Sequence, residues 1–258
     1  MLLTIDLGNT NICAGVFQDE NLIADFKIKT KNKKSSDEYA LEFINFLKLY
    51  DISPKDIDII ILSSVVPSLN SVLERAFAKY FQAKFIMVDD KTDTGINILT
   101  ANPEEVGADR IVNVTAARHI YKQACIVVDF GTATTFDYVD KDANFKYTII
   151  TPGLASAAKT LFSETAKLPD VEIKKPNNIL ADNTVTGMQA GIVYGYIGLV
   201  SHILTEFMHS LNTKPLVIAT GGVSKDFVNE IDEIDKFEEN LALKGMQIIA
   251  KRLKHKGL

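Results

Sequence analysis

The sequence predicts an α/β fold of two similar lobes, on three observations. The first is a repeat: Leu2-Leu3-Thr4-Ile5-Asp6-Leu7-Gly8-Asn9-Thr10 and Ile126-Val127-Val128-Asp129-Phe130-Gly131-Thr132-Ala133-Thr134 are each an apolar strand that delivers an Asp and then turns at Gly. They correspond position for position, Asp6 with Asp129, Gly8 with Gly131 and Asn9 with Thr132, and past the turn Val16 matches Val139 while the next strands open at Leu22 and Phe145. The second is the nearly unbroken apolar run over residues 57–65, the pattern of a strand covered by helices on both faces. The third is the alternation of such strands with stripes at helical spacing. Each lobe is expected to bring one carboxylate and one glycine turn to a shared cleft.

In the first lobe, residues 12–17 and 22–28 continue a β-meander around the turn Gln18-Asp19-Glu20-Asn21. Ser35-Ser36-Asp37-Glu38 is an N-cap signal, and Tyr39, Phe43, Phe46, Leu47 and Tyr50 follow at helical spacing until Pro54, an aromatic stripe of core residues. Pro67 and Ser68 open a helix through Leu69, Val72, Leu73, Ala76 and Tyr80, and residues 84–88 form the next strand, giving β-β-β-α-β-α-β. Residues 89–103, rich in Asp, Thr, Gly, Asn and Pro, read as a long irregular crossing. It ends at Gly107-Ala108-Asp109-Arg110, and a helix over residues 111–121 follows, which puts Asp109 and Arg110 at a helix start.

The second lobe opens on the strand at residues 126–131, followed by a hairpin of residues 134–139 and 145–150. Pro152-Gly153 leads into a small-residue helix over residues 154–162, and the polar, Pro-containing residues 167–183 read as a mobile segment near the substrate. A long apolar helix over about residues 188–211, with Gly187 at its entry, carries Gly191, Gly195 and Gly198, which allow another backbone to approach; its interruption by Gly, Gln189, Ser201 and His202, and its length, favour a buried inter-lobe or dimer helix over a membrane span. Residues 215–219 form a strand that ends at Thr220-Gly221-Gly222. The acidic tract over residues 230–239 reads as solvated surface, and residues 241–254 as a closing amphipathic helix. The lobes are expected to divide as residues 1–116 and 117–258.

Composition narrows the function. A chain of 258 residues that is 47% hydrophobic buries a normal core, while a net charge of −5 gives no basic footprint for nucleic acid, and the cluster Lys29-Thr30-Lys31-Asn32-Lys33-Lys34 reads as a solvated loop. The two cysteines imply no disulfide framework, and the four histidines have no partners at zinc-ligand spacing. Met1 runs straight into strand residues without a signal core, so a cytoplasmic enzyme with no membrane partner is expected.

A strand that ends in Asp and turns at Gly can aim backbone N–H groups and a Thr hydroxyl at phosphate oxygens while the Asp holds a cation that offsets their charge. Asp6-x-Gly8-Asn9-Thr10, Asp129-x-Gly131-Thr132 and Thr220-Gly221-Gly222 resemble the phosphate and adenosine motifs of the acetate and sugar kinase, Hsp70 and actin superfamily. With Gly107-Ala108-Asp109-Arg110, Pro103-Glu104-Glu105-Val106 before it and Asn183-Thr184 after, the set resembles type III pantothenate kinase in order and spacing from residue 1 to about residue 222.

The resemblance implies two ribonuclease H-like lobes in an actin-like ATPase fold, and ATP-dependent phosphorylation of pantothenate to 4′-phosphopantothenate at the start of coenzyme A synthesis. It implies a nucleotide along Asp6, Leu7, Gly8, Asn9, Thr10, Asn11, Ile12 and Cys13, with Thr132 at the terminal phosphates and Gly221 and Gly222 against the adenine. Asp6 would hold Mg²⁺ through water, and Asp129 would hold K⁺ or NH₄⁺. Asp109 would act as general base in a substrate site of Gly107, Ala108, Asp109, Arg110 and Thr184, with Arg110 pairing either the substrate carboxylate or a phosphate. A homodimer formed through the second lobe is also implied. Where many family members carry Tyr, this chain has Thr100, which changes the expected shape of the pantothenate pocket. Two other readings compete: a kinase of the same fold for another small hydroxylated acid or sugar, and a nucleotide-binding regulator that has lost catalysis. Intact Asp6, Asp109 and Asp129 argue against the last.

Overall fold

Strands β1 (Leu2–Leu7), β2 (Asn11–Gln18) and β3 (Asn21–Lys29) form the expected meander, with Asp6 opposite Cys13 and Ile12 opposite Ile28. Asp19 takes the positive φ that its tight turn needs. The computed structural model describes residues 1–31, 33–163, 168–223 and 225–256, so Asn32 of the basic cluster and residue 167 lie outside the described residues. Helix α1 (Ser36–Lys48) starts where the sequence predicts, because Ser35 and Glu38 close a reciprocal capping box. Then come β4 (Ile59–Ser64), α2 (Pro67–Tyr80) with Pro at its first turn, and β5 (Lys84–Met87), in a sheet ordered β3-β2-β1-β4-β5.

Two-sided burial explains the unbroken apolar runs. Leu3, Ile5 and Leu7 of β1 and Ile60 and Leu62 of β4 face α1 and α2, where Phe43 meets Phe26 at 5.8 Å and Phe77 at 5.1 Å between ring centres. Ile61, pointing the other way, joins Ile111 and Val112 of α3 (Ala108–Tyr121) and Met246 and Ile249 of α7 (Leu241–His255). At Gly245 an added Cβ would lie 2.0 Å from the Val112 carbonyl oxygen, so only glycine lets α7 sit this close to α3.

The closing helix therefore packs in the first of two compact units, which comprises Met1–Lys122, Asp142–Lys146 and the segment from Asn240; the second comprises Gln123–Lys141 and Tyr147–Glu239. The long crossing before α3 is not wholly irregular. It holds β6 (Asn97–Ile98), paired with Asn144 and Phe145, and a 3-10 turn at Pro103–Glu105.

The second sheet contains β7 (Cys125–Phe130), β8 (Ala133–Val139), β9 (Asn144–Pro152) and β10 (Leu216–Gly221). Helices α4 (Leu154–Ser163), α5 (Thr184–Leu211) and the short α6 (Lys225–Val228) complete the unit, and residues 168–183 hold no regular helix or strand.

The acidic tract exposes Glu230, Asp232, Asp235 and Glu239, as a solvated surface should, but it is not without structure. It contains β11 (Lys236–Phe237), paired in parallel with β10, and Ile231 is buried. Its carboxylates are also used: Asp235 accepts from the Val217 N–H at 2.8 Å and Glu233 from the Ser201 hydroxyl at 2.6 Å. A correction concerns α5, which at 28 residues is long and apolar enough by composition to cross a bilayer, so length does not exclude a span. Its stripe Tyr196, Val200, Leu204 and Phe207 packs into the core of the second unit, and Val193 is buried as well. Gly191, Gly195 and Gly198 lie off that stripe, and among the described residues nothing comes within 4 Å of a Cβ added at any of them.

Candidate active site

Asp6 stands one residue before the end of β1, flanked by Cys13 of β2 and Ser63 of β4, and the Ser63 hydroxyl donates to its Oδ1 at 3.2 Å. The turn after it is held by backbone. Gly8 N–H donates to Asn11 O at 3.0 Å, the Thr30 hydroxyl to Gly8 O at 2.7 Å and Thr30 N–H to Thr10 O at 3.1 Å. Pinned in this way, the turn exposes Asn9 and Thr10, while the side chains of Leu7 and Ile12 are fully buried and can offer a ligand only their backbone. A Cβ at Gly8 would come within 3.1 Å of Asn11 O.

The Gly-Ala-Asp-Arg motif reaches the same edge of the first sheet. Val65, just past β4, donates its N–H to Leu7 O at 3.1 Å, and its Cγ1 is 3.4 Å from a Cβ built at Gly107. Gly107 is the N-cap of α3 and has no side chain to cap with. The Asp109 carboxylate folds back over this position: its Oδ1 accepts from Arg110 N–H at 2.8 Å and would lie 2.5 Å from a Cβ on Gly107. A side chain at position 107 would crowd this carboxylate where it now lies, at the helix N-terminus, where N–H groups and the helix dipole favour it. The Arg110 guanidinium lies over the Phe145 ring, 5.4 Å from its centre. In an α/β sheet, the carboxyl ends of parallel strands are where ligands bind, and Asp6, the Gly8 turn and Asp109 all lie at the carboxyl ends of β1 and β4.

The second turn repeats the first. Asp129 is one residue before the end of β7, between Thr135 of β8 and Thr220 of β10, and Gly131 N–H donates to Ala133 O at 3.1 Å. Gly221, at φ +104°, packs directly beside this Asp: an added Cβ would be 2.6 Å from Asp129 Oδ1 and 2.6 Å from Phe130 O. Gly222 N–H donates to Phe130 O at 2.8 Å, while Thr132 is exposed.

Three supports of this turn escape motif reading. Gly153 donates its N–H to Thr132 O at 3.0 Å and would place a Cβ 2.1 Å from Gly131 O; the Ser156 hydroxyl also donates to Thr132 O, at 2.7 Å. Behind the turn the Thr134 and Tyr196 hydroxyls lie 2.5 Å apart, and burial pushes the Tyr196 phenol above the usual tyrosine range. In the sequence the Pro152-Gly153 pair reads simply as a helix lead-in, and nothing marks Ser156 or Tyr196. Thr184, exposed at the first position of α5, opens onto an apolar groove between α4 and α5 that Leu154, Ala158, Leu161, Gly187 and Met188 help to line.

Among the described residues no three His, Cys, Asp or Glu side chains form a metal-ligating cluster. Single carboxylates beside hydroxyls, as at Asp6 and Ser63, suit a hard cation that completes its shell with water and phosphate oxygens.

A family model described as type III pantothenate kinase matches residues 2–206. A curated type III pantothenate kinase from Syntrophus aciditrophicus is 46% identical over 252 residues, covering 98% of this chain and 99% of that protein. Among solved structures, a conserved putative Baf family transcriptional activator from Campylobacter jejuni superposes with a TM-score of 0.60 at 18% identity, over 98% of this chain and 99% of the other. A putative 2-dehydro-3-deoxygalactonokinase from Sinorhizobium meliloti gives a TM-score of 0.60 at 10% identity, over 100% and 98%. At these identities the likeness speaks to fold alone, and the two-sheet α/β fold is that of the actin-like ATPases and sugar kinases.

Proposed function

The chain belongs to the type III pantothenate kinase family and phosphorylates pantothenate, with ATP as phosphate donor, in coenzyme A biosynthesis; on that premise we propose how its residues divide the work. Phosphoryl transfer requires the phosphate charge to be neutralised, the nucleophile to be in line and its proton to have a destination. Asp6 holds Mg²⁺ through water, and the backbone from Gly8 to Thr10 with the Thr10 hydroxyl cradles phosphates. Thr132 contacts the terminal phosphates and Gly221-Gly222 lies against the adenine. Asp129 holds K⁺ or NH₄⁺. As the primary hydroxyl oxygen of pantothenate bonds to the γ-phosphorus and the bond to the ADP leaving oxygen breaks, Asp109 takes the hydroxyl proton. Arg110 pairs an anion, substrate carboxylate or phosphate, and Thr184 contacts the substrate.

The observation that supports this most is the placement of Asp109 and the Asp6-Gly8 turn on one sheet edge, joined through Val65. We assay formation of 4′-phosphopantothenate in potassium, ammonium and sodium buffers at fixed Mg²⁺. High rates in the first two and a low rate in sodium are expected; equal rates in all three would remove the monovalent cation from the scheme.

We also propose a cytoplasmic homodimer joined through the second unit. The open face of α5 at Gly191, Gly195 and Gly198, with Leu199 exposed, supports it. Sedimentation at micromolar concentration should show a dimer; a fully active monomer would refute it.

A further inference from the structure

Phe145 belongs to no motif, yet it is held more firmly than its place beside a hairpin turn requires. Its ring is fully buried, its carbonyl accepts from Leu99 N–H at 2.8 Å and its backbone pairs with Ile98 of β6. One residue earlier, Asn97 Nδ2 donates to Asn144 Oδ1 at 3.1 Å, and Asn97 N–H to Ala143 O at 2.9 Å. The two-residue strand β6 thus serves to fix this short stretch, and the Arg110 guanidinium lies over the fixed ring.

A free arginine side chain samples many rotamers, and bidentate pairing with a carboxylate or phosphate requires its planar fork in one orientation. An aromatic face within about 6 Å attracts the guanidinium and limits that sampling. We propose that Phe145 is a positioning residue for pantothenate phosphorylation, its ring fixing the Arg110 guanidinium in the orientation that receives the substrate-side anion. This rests on the reading of Arg110 as a substrate-site residue. The residue acts through Arg110 and touches neither substrate nor nucleotide.

The test is a double-mutant cycle on the full-length enzyme with Phe145→Met, which keeps apolar volume but removes the ring, and Arg110→Ala, measuring kcat and both KM values and monitoring Tm. Phe145→Met is expected to raise the pantothenate KM about three- to tenfold with ATP KM unchanged. In the Arg110→Ala background the same substitution should change pantothenate KM less than about twofold, because the group it positions is gone. The proposal falls if Arg110→Ala impairs pantothenate use while Phe145→Met does not, or if the Phe145→Met effect is equally large in both backgrounds, as a merely structural role would give. Arg110→Ala with wild-type constants would instead overturn the premise, and the proposal with it. A measurement that needs no variant guards against misfolding: NMR of the wild-type enzyme should show ring-current shifts on the Arg110 side chain, and unshifted resonances would also refute the proposal.

Discussion

Asp109→Asn is expected to reduce transfer to pantothenate by about 10²- to 10⁴-fold while leaving ATP affinity nearly unchanged. Asn keeps the size of the side chain and an oxygen to accept from Arg110 N–H, so the first turn of α3 stays in place. It cannot take the hydroxyl proton. The loss should therefore fall on kcat, with nucleotide binding preserved because the Gly8 turn is pinned by Asn11 and Thr30 independently of Asp109. Rate and ATP affinity measured on one preparation decide the matter, and wild-type turnover would end the general-base assignment.

Gly153→Ala is expected to be severely damaging to the second unit. Its Cβ would sit 2.1 Å from Gly131 O and 2.7 Å from Thr132 O, and both are backbone atoms of the second turn that cannot rotate away. Overpacking of this kind costs about 1–3 kcal/mol, a fall of several degrees in Tm, and relieving it displaces the turn. ATP KM should rise together with the fall in Tm. Gly195→Ala is the contrast: within the chain its Cβ meets nothing within 4 Å among the described residues, so the fold of each subunit should be as stable or more so, whatever its effect on the proposed dimer. A Gly153→Ala enzyme with wild-type Tm and ATP KM would contradict the close approach.

Much of the fold was legible because strong local signals agreed with the global packing. The Asp-x-Gly turns sit at the ends of β1 and β7 as the repeat predicts, and the Ser35-Glu38 box starts α1. What the sequence hid was which distant partner each surface meets. An amphipathic pattern gives α7 a buried face but does not say that the face covers the first sheet beside α3, nor that Gly245 is there to let it. Strands as short as Asn97–Ile98 and Lys236–Phe237 carry no periodicity, and the latter is surrounded by acids whose hydrogen bonds, as at Asp235, exist only once the chain is folded. At the candidate site the strand-end positions of Asp6 and Asp129 followed from the repeat, and the helix-start position of Asp109 from the pattern around Gly107. The contacts of Ser63, Gly153 and Phe145 did not, because each meets a neighbour remote in sequence.

If the two copies of the turn do different work, removing one carboxylate should abolish one ion dependence and leave the other. Asp6 and Asp129 occupy equivalent places, each one residue from a strand end, yet we propose Mg²⁺ at the first and a monovalent ion at the second. Asp129→Asn keeps an oxygen ligand but loses the charge. Assayed for 4′-phosphopantothenate in potassium, ammonium and sodium, it should retain a small residual rate that is the same in all three while still requiring Mg²⁺. A variant that keeps the wild-type preference for potassium over sodium would place the monovalent ion elsewhere and leave Asp129 a structural copy of Asp6.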